Sequence, residues 1–195
     1  KDHKKIISIF PGSRRSEIDV MLPILIDFIK LMNEKYNDIF YVFHSTTEFN
    51  KLIQDKLIKA GFKNCGSISD EKVKSEVLKY SIFAVAKSGT ISLEICNAKV
   101  PSIIIYKMNS INFLIIKMLA KVKYANIINI AANDEIIPEL LQSNCNSKNI
   151  FNNVDSLFEN NKSMQNQIDK SQEILKNFKT NQSSKIVASV LFNSL

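Results

Sequence analysis

The sequence has no hydrophobic run long enough to cross a membrane and no cysteine pattern that would hold a metal. Its longest apolar stretch, Ile111 to Ala120, is interrupted by Asn112 and Lys117. It falls short of the roughly 20 apolar residues that a spanning helix needs. The three cysteines, at positions 65, 96 and 145, are odd in number and lack metal-ligand spacing. These absences indicate unpaired thiols in a reducing compartment.

Two common nucleotide-binding fingerprints are also absent. The sequence contains no Gly-x-Gly-x-x-Gly and no P-loop motif, and glycine occurs only 4 times in 195 residues. If the protein binds phosphate, it therefore does so without a Rossmann dinucleotide fingerprint and without a P-loop. No cluster of aspartates of the metal-binding type is evident either, so we expect no metal site.

The chain is basic, but its positive charge is not concentrated. The net charge is +7 and the pI is about 9.2, and the lysines are spread along the sequence. Nucleic-acid binding typically uses a basic stripe with interleaved stacking aromatics. Because the sequence shows no such stripe, we expect no nucleic-acid partner. A general attraction to an anionic membrane surface is left open.

Short apolar runs alternate along the chain with segments whose apolar residues recur every three or four positions. The predicted strands are Lys5–Phe10, Ile39–His44, a weak one around Phe62–Gly66, Ile82–Ala86, Pro101–Tyr106 and a short last one near Asn126–Ile130. The predicted helices are Ser16–Tyr36, Thr47–Ala60, Asp70–Tyr80 and Gly89–Ala98. This alternation predicts an α/β fold, a Rossmann-like doubly wound parallel sheet of about six strands with right-handed crossovers.

The organisation changes in the last third of the chain. From Ile137 onward the pattern is helical only. We therefore expect a Rossmann-like domain over residues 1–143 and a helical extension over residues 144–195, which packs on that domain or on a partner. Helices are predicted over Gln165–Phe178 and Ser183–Phe192. The chain begins without a methionine or a visible signal peptide, and we interpret it as part of a longer protein.

The only two arginines stand together, directly after the first predicted strand, in Gly12-Ser13-Arg14-Arg15. Open doubly wound sheets bind ligands at the carboxyl ends of their strands. Gly12 permits a tight turn close to a ligand, and Ser13 can cap the next helix. The Arg14 guanidinium offers a fork of donors that suits phosphate or carboxylate. The alternative is a solvated loop arginine that pairs with Glu17.

A second small-residue turn, Lys87-Ser88-Gly89-Thr90, follows the fourth predicted strand and opens a helix. Free amides at a helix N-terminus bind anions. Glycine lets a diphosphate come close, and the hydroxyls of Ser88 and Thr90 add donors. Glu94 lies one helical turn further on, where its carboxylate can accept hydrogen bonds from ribose hydroxyls. The alternative is an ordinary N-cap with a glutamate that complements the helix dipole.

These residues resemble the carboxyl-terminal half of the lipid-A-disaccharide synthases, two-domain glycosyltransferases of the GT-B type. The resemblance runs in unbroken order from about Ile6 to Phe178. It rests on Pro-Gly-Ser-Arg at 11–14, Ser-Gly-Thr-x-x-Leu-Glu at 88–94, Pro101, Tyr106-Lys107-Met108, Tyr124, Asn129 and Glu-Leu-Leu-Gln at 139–142. The sequence departs from the family pattern at Ile128, where proline is usual, and near Asn133, where glycine is usual.

The resemblance implies transfer of 2,3-diacylglucosamine from UDP to 2,3-diacylglucosamine 1-phosphate in lipid A biosynthesis. The chain would be the UDP-sugar-binding half of the enzyme and inactive alone, because the amino-terminal acceptor domain with the general base is absent. Arg14 would be the catalytic residue and would stabilise charge on the leaving diphosphate. The implied donor-binding set is Gly12, Ser13, Arg14, Ser88, Gly89, Thr90, Glu94, Asn129 and Gln142. No cofactor is implied, since the UDP-sugar is itself a substrate.

The implied partners are UDP-linked diacylglucosamine, a lipid acceptor and the bacterial membrane surface, and a homodimer is left open. The implied location is cytoplasmic and peripheral, on the inner face of the bacterial inner membrane. Segment Ser110–Lys123 is apolar around most of a helix, so we expect either a membrane-contacting patch or a core helix with outward lysines. His44 closes the second strand on the ligand side, and we interpret it as structural or incidental because the family does not require it.

Two other functions remain as alternatives. A different GT-B enzyme, such as a UDP-N-acetylglucosamine epimerase, predicts histidine and acidic residues in the crevice, and these are not evident in the sequence. A noncatalytic interaction domain, with the C-terminal helices as an oligomerisation arm, predicts no nucleotide binding. A nucleotide-binding assay separates the second alternative from both enzymes.

Overall fold

The computed structural model describes residues 5–107 and 123–178, which contain one sheet of six parallel strands. The strands are β1 (Lys5–Phe10), β2 (Ile39–His44), β3 (Cys65–Ile68), β4 (Ser81–Lys87), β5 (Ser102–Tyr106) and β6 (Glu139–Leu141). Their order is β3-β2-β1-β4-β5-β6, and every pairing is parallel. The order reverses between β1 and β4, which is where doubly wound sheets bind ligands. The predicted fold class is confirmed.

The helices of the described ranges cover both faces of this sheet. They are α1 (Arg15–Lys35), α2 (Thr47–Lys59), α3 (Glu71–Lys79), α4 (Ile91–Asn97), α5 (Ile127–Ala132), α6 (Ser147–Glu159) and α7 (Asn161–Phe178), with a short 3-10 turn at Gln142–Asn144. Helices α1, α2 and α6 bury their apolar stripes on one face, and α3, α4, α5 and α7 lie on the other. The part of the C-terminal extension that the structure describes therefore packs on the sheet.

Alternation along β1 shows how the sequence divides the core. Ile7 and Ile9 are fully buried in the core beneath α1, whereas Phe10 belongs to the core on the opposite face. Helix α1 presents an apolar stripe at three- and four-residue spacing to the first of these cores. Its fully buried members are Ile18, Met21, Leu25, Phe28, Ile29 and Met32. This packing fixes the direction of the turn between β1 and α1.

The sixth strand is not where the sequence predicts it. Residues 126–130, predicted as a strand, begin helix α5, and the strand lies at Glu139–Leu141 in a region predicted to be helical only. Periodicity cannot separate a short apolar run in a strand from one in a helix. The side chain of Asn126 decides the outcome, because its Oδ1 accepts from the Ile128 amide at 2.9 Å and caps the helix. Asn133, in the left-handed region with φ 51°, ends it.

Some of the sequence predictions fall outside the described ranges or move by a few residues. Helix Ser183–Phe192, and segment Ser110–Lys123 except for its last residue, lie outside the part of the chain that the structure describes. Strand β3 begins three residues later than predicted, and α7 begins at Asn161. Within the described ranges, no helix has both the length and the apolar character that crossing a bilayer requires.

Candidate functional site

A cleft of about 810 Å³ opens at the carboxyl ends of β1 and β4 and continues between α3 and α4. It lies at the reversal of strand order, so the turns after β1 and β4 meet at its mouth. Seven of the nine residues in the predicted donor-binding set line this cleft. They are Gly12, Ser13, Arg14, Ser88, Gly89, Thr90 and Glu94. The topology therefore brings together two sequence motifs that are about 75 residues apart.

Glu17 ties the two turns to each other. Its Oε1 lies 2.9 Å from the Nζ of Lys87 at the end of β4. Its Oε2 accepts hydrogen bonds from the backbone amides of Ser13 and Arg14, at 3.0 and 3.3 Å. The guanidinium of Arg14 lies further from Glu17, at 3.9 Å, and the Arg14 side chain is 81% exposed. The sequence suggested Arg14 as the partner of Glu17, but Lys87 lies closer to the Glu17 carboxylate than Arg14 does.

The same contacts set the charge of Glu17. Partial burial raises the pKa of its carboxyl, but hydrogen bonds from Lys87, Ser13 and Arg14 outweigh burial and lower the pKa below its usual value of 4.5. A carboxyl with a lowered pKa stabilises the fold above its unfolded-state pKa. That stabilisation is lost as the pH falls through the folded-state pKa. The turn after β1 is therefore held by a charge that persists at neutral pH.

Replacing Glu17 by glutamine should therefore destabilise the fold in a pH-dependent way. We expect a loss of about 1–2 kcal/mol near neutral pH, because the charged hydrogen bonds to Lys87 and the turn amides are weakened. The loss should shrink as the pH falls below ~4, where the wild-type carboxyl also becomes neutral. Urea unfolding of both proteins at neutral and acid pH measures it. A difference that is independent of pH would show that the charge of Glu17 does not stabilise the turn.

The turn after β4 is held from the side of β5 and the segment after residue 122. The Ser88 amide donates to the Ile105 carbonyl at 3.0 Å, and its hydroxyl donates to the Ala125 carbonyl at 2.8 Å. Ser88 therefore uses both of its protons inside the protein and positions the turn. The amides of Gly89 and Thr90 have no acceptor among the residues that the structure describes. These two amides are the donors that the turn offers to the cleft.

Helix α4 is shorter than the sequence predicts. It starts at Ile91, two residues after the predicted start, and has 7 residues. A helix this short adds little dipole to its first turn. The attraction of this end of the cleft for an anion therefore rests on the turn amides and on nearby cationic side chains. Glu94 is exposed on α4 and faces the same cleft.

Asn129 does not lie on the cleft. It is fully buried, and its Oδ1 accepts from the amides of Ile136 and Ile137 at 3.0 and 2.9 Å. Its Nδ2 donates to the Ile137 carbonyl at 2.7 Å and to Glu139 Oε1 at 2.8 Å. All four hydrogen-bonding positions of this amide are therefore used within the protein. Asn129 supports the fold around β6 and contacts no open space.

Asn129 nevertheless connects indirectly to the turn after β4. The carboxylate of Glu139, which Asn129 holds, accepts from the amides of Ala125 and Asn126 at 2.7 and 2.9 Å. The Ala125 carbonyl in turn accepts from Ser88. Two predicted site residues, Ser88 and Asn129, therefore belong to one hydrogen-bonded support behind the cleft. Gln142 follows β6 with a positive φ of 53° and does not line the cleft.

The other walls of the cleft hold residues that sequence reasoning did not assign to the site. Helix α3 contributes Lys74 and Lys79, the end of α4 contributes Lys99, and the turn after β2 contributes His44 and Thr46. Counting all walls, five cationic side chains face three carboxylates, those of Glu17, Glu71 and Glu94. This excess favours an anionic ligand. In residues 5–107 and 123–178, no group of three histidine, cysteine or acidic side chains is placed to hold a metal ion.

Histidine and acidic residues, whose absence from the crevice was expected to exclude an epimerase, do line the cleft: they are His44 and three glutamates. The sequence had already put His44 and Glu94 at the ligand side of the sheet, whereas Glu71 comes from α3, which it did not assign to the site. Another comparison must separate the two enzyme classes.

Solved structures place the fold with one half of the GT-B glycosyltransferases. WaaG, a glycosyltransferase involved in lipopolysaccharide biosynthesis, superposes with a TM-score of 0.61 at 10% identity, over 97% of this chain and 46% of that one. UDP-GlcNAc 2-epimerase from Neisseria meningitidis, solved with UDP-GlcNAc bound, gives 0.60 at 16% identity, over 93% of this chain and 46% of that one. At these identities the likeness concerns the fold alone.

The sequence is more specific about the family. Residues 1–190 match the family model described as lipid-A-disaccharide synthetase. The lipid-A-disaccharide synthase of Rickettsia prowazekii (strain Madrid E) is 36% identical over 190 residues, which are 96% of this chain and 49% of the relative. The chain belongs to the lipid-A-disaccharide synthetase family. It spans about half the length of the curated relatives that it matches.

Proposed function

We propose that this chain is the UDP-sugar-binding half of a lipid-A-disaccharide synthase, and that the cleft between β1 and β4 holds the donor diphosphate. One observation carries the proposal: two turns of the family pattern converge on one cationic cleft at the reversal of strand order. The transfer would move 2,3-diacylglucosamine from UDP to 2,3-diacylglucosamine 1-phosphate. In the transfer an acceptor hydroxyl oxygen bonds to the anomeric carbon of the sugar and gives its proton to the general base, while the bond from that carbon to the diphosphate breaks and UDP leaves with the added negative charge.

The residues of the predicted donor-binding set have different roles in this proposal. Arg14 and the amides of Gly89 and Thr90 stabilise the charge that grows on the leaving diphosphate, since donors placed in advance act most strongly where charge develops. Glu94 accepts hydrogen bonds from the ribose hydroxyls. Gly12 and Ser13 shape the turn that carries Arg14. Ser88 and Asn129 position the second turn from behind. Gln142 is assigned no contact with the donor diphosphate.

The remaining components of the reaction belong to the whole enzyme rather than to this half. We propose a lipid acceptor, a general base in the half that this chain does not cover, and action at the inner face of the bacterial inner membrane. The chain alone should therefore bind the nucleotide without turning over substrate. Adding the missing half should restore transfer of the diacylglucosamine unit.

Family membership favours the transferase over an epimerase. The epimerase structures resemble this chain in fold at 16% identity or less, whereas the synthase relatives reach 36%. A direct test is available. Supplied with its missing half, the protein should transfer the lipid-linked sugar and leave UDP-N-acetylglucosamine unchanged. Epimerisation of UDP-N-acetylglucosamine would overturn the proposal.

UDP binding by the isolated chain tests the proposal directly. We expect calorimetric titration to give a Kd below ~1 mM, which corresponds to about 4 kcal/mol of binding free energy. Uridine without phosphates should bind much more weakly, because the turn amides and Arg14 contact the diphosphate. If UDP fails to bind at millimolar concentration, the chain is not a nucleotide-sugar domain.

Replacing Gly89 by alanine separates binding from folding. A Cβ at Gly89 would meet no atom of residues 5–107 or 123–178 within 4 Å, and its φ is not positive, so the fold should tolerate it. The new methyl group would stand where the proposed diphosphate approaches the turn. We expect an unchanged melting temperature and UDP affinity lowered by about tenfold or more, the cost of displacing one charged hydrogen bond. Unchanged affinity would mean that the diphosphate does not approach Gly89.

A further inference from the structure

The wall of the cleft on the side of β2 contains a buried histidine. His44 ends β2, is 4% exposed, and stacks on Phe10 with ring centroids 4.2 Å apart. His44 is one of the residues that line the cleft. Strand β2 is separated from β4 by β1, so the two strand ends lie about 10 Å apart, or two strand spacings. His44 is therefore at the far side of the cleft from the proposed diphosphate position.

A chain of hydrogen bonds fixes which nitrogen of His44 carries the proton. The Ser81 hydroxyl donates its proton to the Val77 carbonyl at 2.9 Å. Ser8 must then donate to Ser81, from which it is 2.7 Å away. The Ser8 oxygen is left to accept from His44 Nε2 at 2.8 Å, so Nε2 bears the hydrogen. Nδ1 is consequently the unprotonated nitrogen of the ring.

The ring stays neutral at ordinary pH. Burial, together with the positive charge of nearby Lys74, lowers the pKa of His44 to about 3. A neutral ring with its proton on Nε2 offers only an acceptor at Nδ1. Nδ1 is buried and has no partner within the described ranges. Leaving a buried acceptor unpaired is unfavourable, and this one belongs to a residue that lines the cleft.

A second polar atom without a partner lies two residues further along the same turn. Thr46 lines the cleft, and its Oγ1 is buried without a partner among the residues described. Thr46 stands at the N-cap of α2, yet its side chain makes no capping hydrogen bond. Its hydroxyl is therefore available as a donor. Two residues that line the same cleft, His44 and Thr46, thus hold a buried acceptor and a buried donor that have no partner among the described residues.

We propose that His44 and Thr46 form hydrogen bonds with the imide edge of a uracil base. His44 Nδ1 accepts from the ring N–H, and the Thr46 hydroxyl donates to a carbonyl next to that N–H. The inference rests on the proposed function, which puts the diphosphate of the same nucleotide at Gly89, across the cleft. A phosphate is excluded at His44, because Nδ1 cannot donate. Cytosine is disfavoured, because its ring nitrogen is an acceptor at the position where uracil has a donor.

Binding of UDP, CDP and 2′-deoxy-UDP to the whole 195-residue chain tests the inference. The wild type should bind UDP at least about tenfold more tightly than CDP, since a site built to accept a hydrogen rejects an analogue that lacks it. His44→Gln keeps a donor near Ser8 but removes the acceptor at Nδ1, so the ratio of UDP to CDP affinity should fall towards one. His44→Asn puts an amide oxygen near the Nδ1 position and should retain much of the ratio.

The ratio is measured within each variant, so a loss of folded protein affects both nucleotides equally and cancels. Equal affinity of the wild type for UDP and CDP would overturn the inference that His44 and Thr46 contact uracil, and it would leave the proposed diphosphate site unaffected. So would a His44→Gln variant that keeps the wild-type ratio. If that variant weakens UDP and CDP alike and no longer distinguishes 2′-deoxy-UDP, the acceptor contacts a ribose hydroxyl and the inference is wrong. If the chain binds no nucleotide, both the proposed function and the uracil contact are wrong.

Discussion

Replacing Arg14 by lysine is expected to slow sugar transfer by about 100-fold when the chain is joined to its missing half, the range found when one transition-state donor is removed. Lysine keeps the charge but loses the planar fork of donors that can hold two phosphate oxygens at once. The Arg14 side chain is 81% exposed and lies 3.9 Å from Glu17. The fold should therefore lose little stability. We expect kcat to fall while the melting temperature stays close to that of the wild type.

The neighbouring arginine provides the matched control. Arg15 sits in the first turn of α1, pairs with Asp19 at 2.9 Å, and does not line the cleft. Arg15→Lys should leave transfer and UDP binding close to wild type, since an exposed pair of this kind contributes at most about 1 kcal/mol to stability. Equal losses for Arg14→Lys and Arg15→Lys would mean that the effect is not specific to the position of Arg14 in the cleft. Wild-type activity in Arg14→Lys would contradict the catalytic role.

Replacing Gly12 by alanine is expected to have the other large effect, on folding and binding together. Gly12 has a φ of 113°, a region that residues with a side chain rarely adopt. A Cβ there would lie 2.6 Å from Glu17 Oε2 and 2.8 Å from Glu17 Cβ. Either the turn or Glu17 must move, which disturbs the ion pair with Lys87. We expect a loss of about 2–4 kcal/mol in the free energy of unfolding, from backbone strain and overpacking combined.

Gly61 separates the two causes. It also has a positive φ, of 80°, but a Cβ there would meet no atom of the part of the chain that the structure describes within 4 Å. Gly61→Ala should therefore cost about 1 kcal/mol, from backbone strain alone, and leave UDP binding unchanged. Urea unfolding and UDP titration of both variants measure the difference. If Gly12→Ala is as mild as Gly61→Ala and binds UDP normally, the contact with Glu17 does not hold the turn.

The sequence predicted best the elements whose local pattern and burial agree. Strands β1 and β2 begin and end where predicted, because each is a nearly unbroken apolar run that is buried on both faces. Helix α1 shifted by one residue at each end, since its apolar stripe runs through its whole length. Local preference and tertiary burial gave the same answer in all three elements.

The sequence predicted worst the region around β6. That strand has 3 residues, too few to show a period, and only Leu140 in it is buried. The nearby apolar run became α5 because Asn126 caps it and because Asn129 is held by the backbone amides of Ile136 and Ile137. Both are hydrogen bonds of polar side chains, and apolar periodicity does not contain them. The structure therefore moved Asn129 from the predicted site to its support.

The candidate site, like the fold, has features that the sequence predicts and features that it does not. The two turns could be found from the sequence because glycine, small hydroxyl residues and arginine follow apolar strands. The partnership of Glu17 with Lys87 joins residues 70 positions apart and could not be found in this way. His44 has a structural role at Nε2, which donates to Ser8, but its Nδ1 has no partner among the described residues.

The position of the diphosphate can be measured directly with glycine amides. The chain has 4 glycines, so a sample labelled with nitrogen-15 only at glycine gives a simple NMR spectrum. Gly12 and Gly89 line the cleft, whereas Gly61 lies beyond α2 and Gly66 lies in β3. On addition of UDP, the Gly12 and Gly89 resonances should shift, with Gly89 shifting most, and the other two should stay in place. Saturating UDP that leaves Gly12 and Gly89 unmoved would contradict a diphosphate site at the β1–β4 reversal.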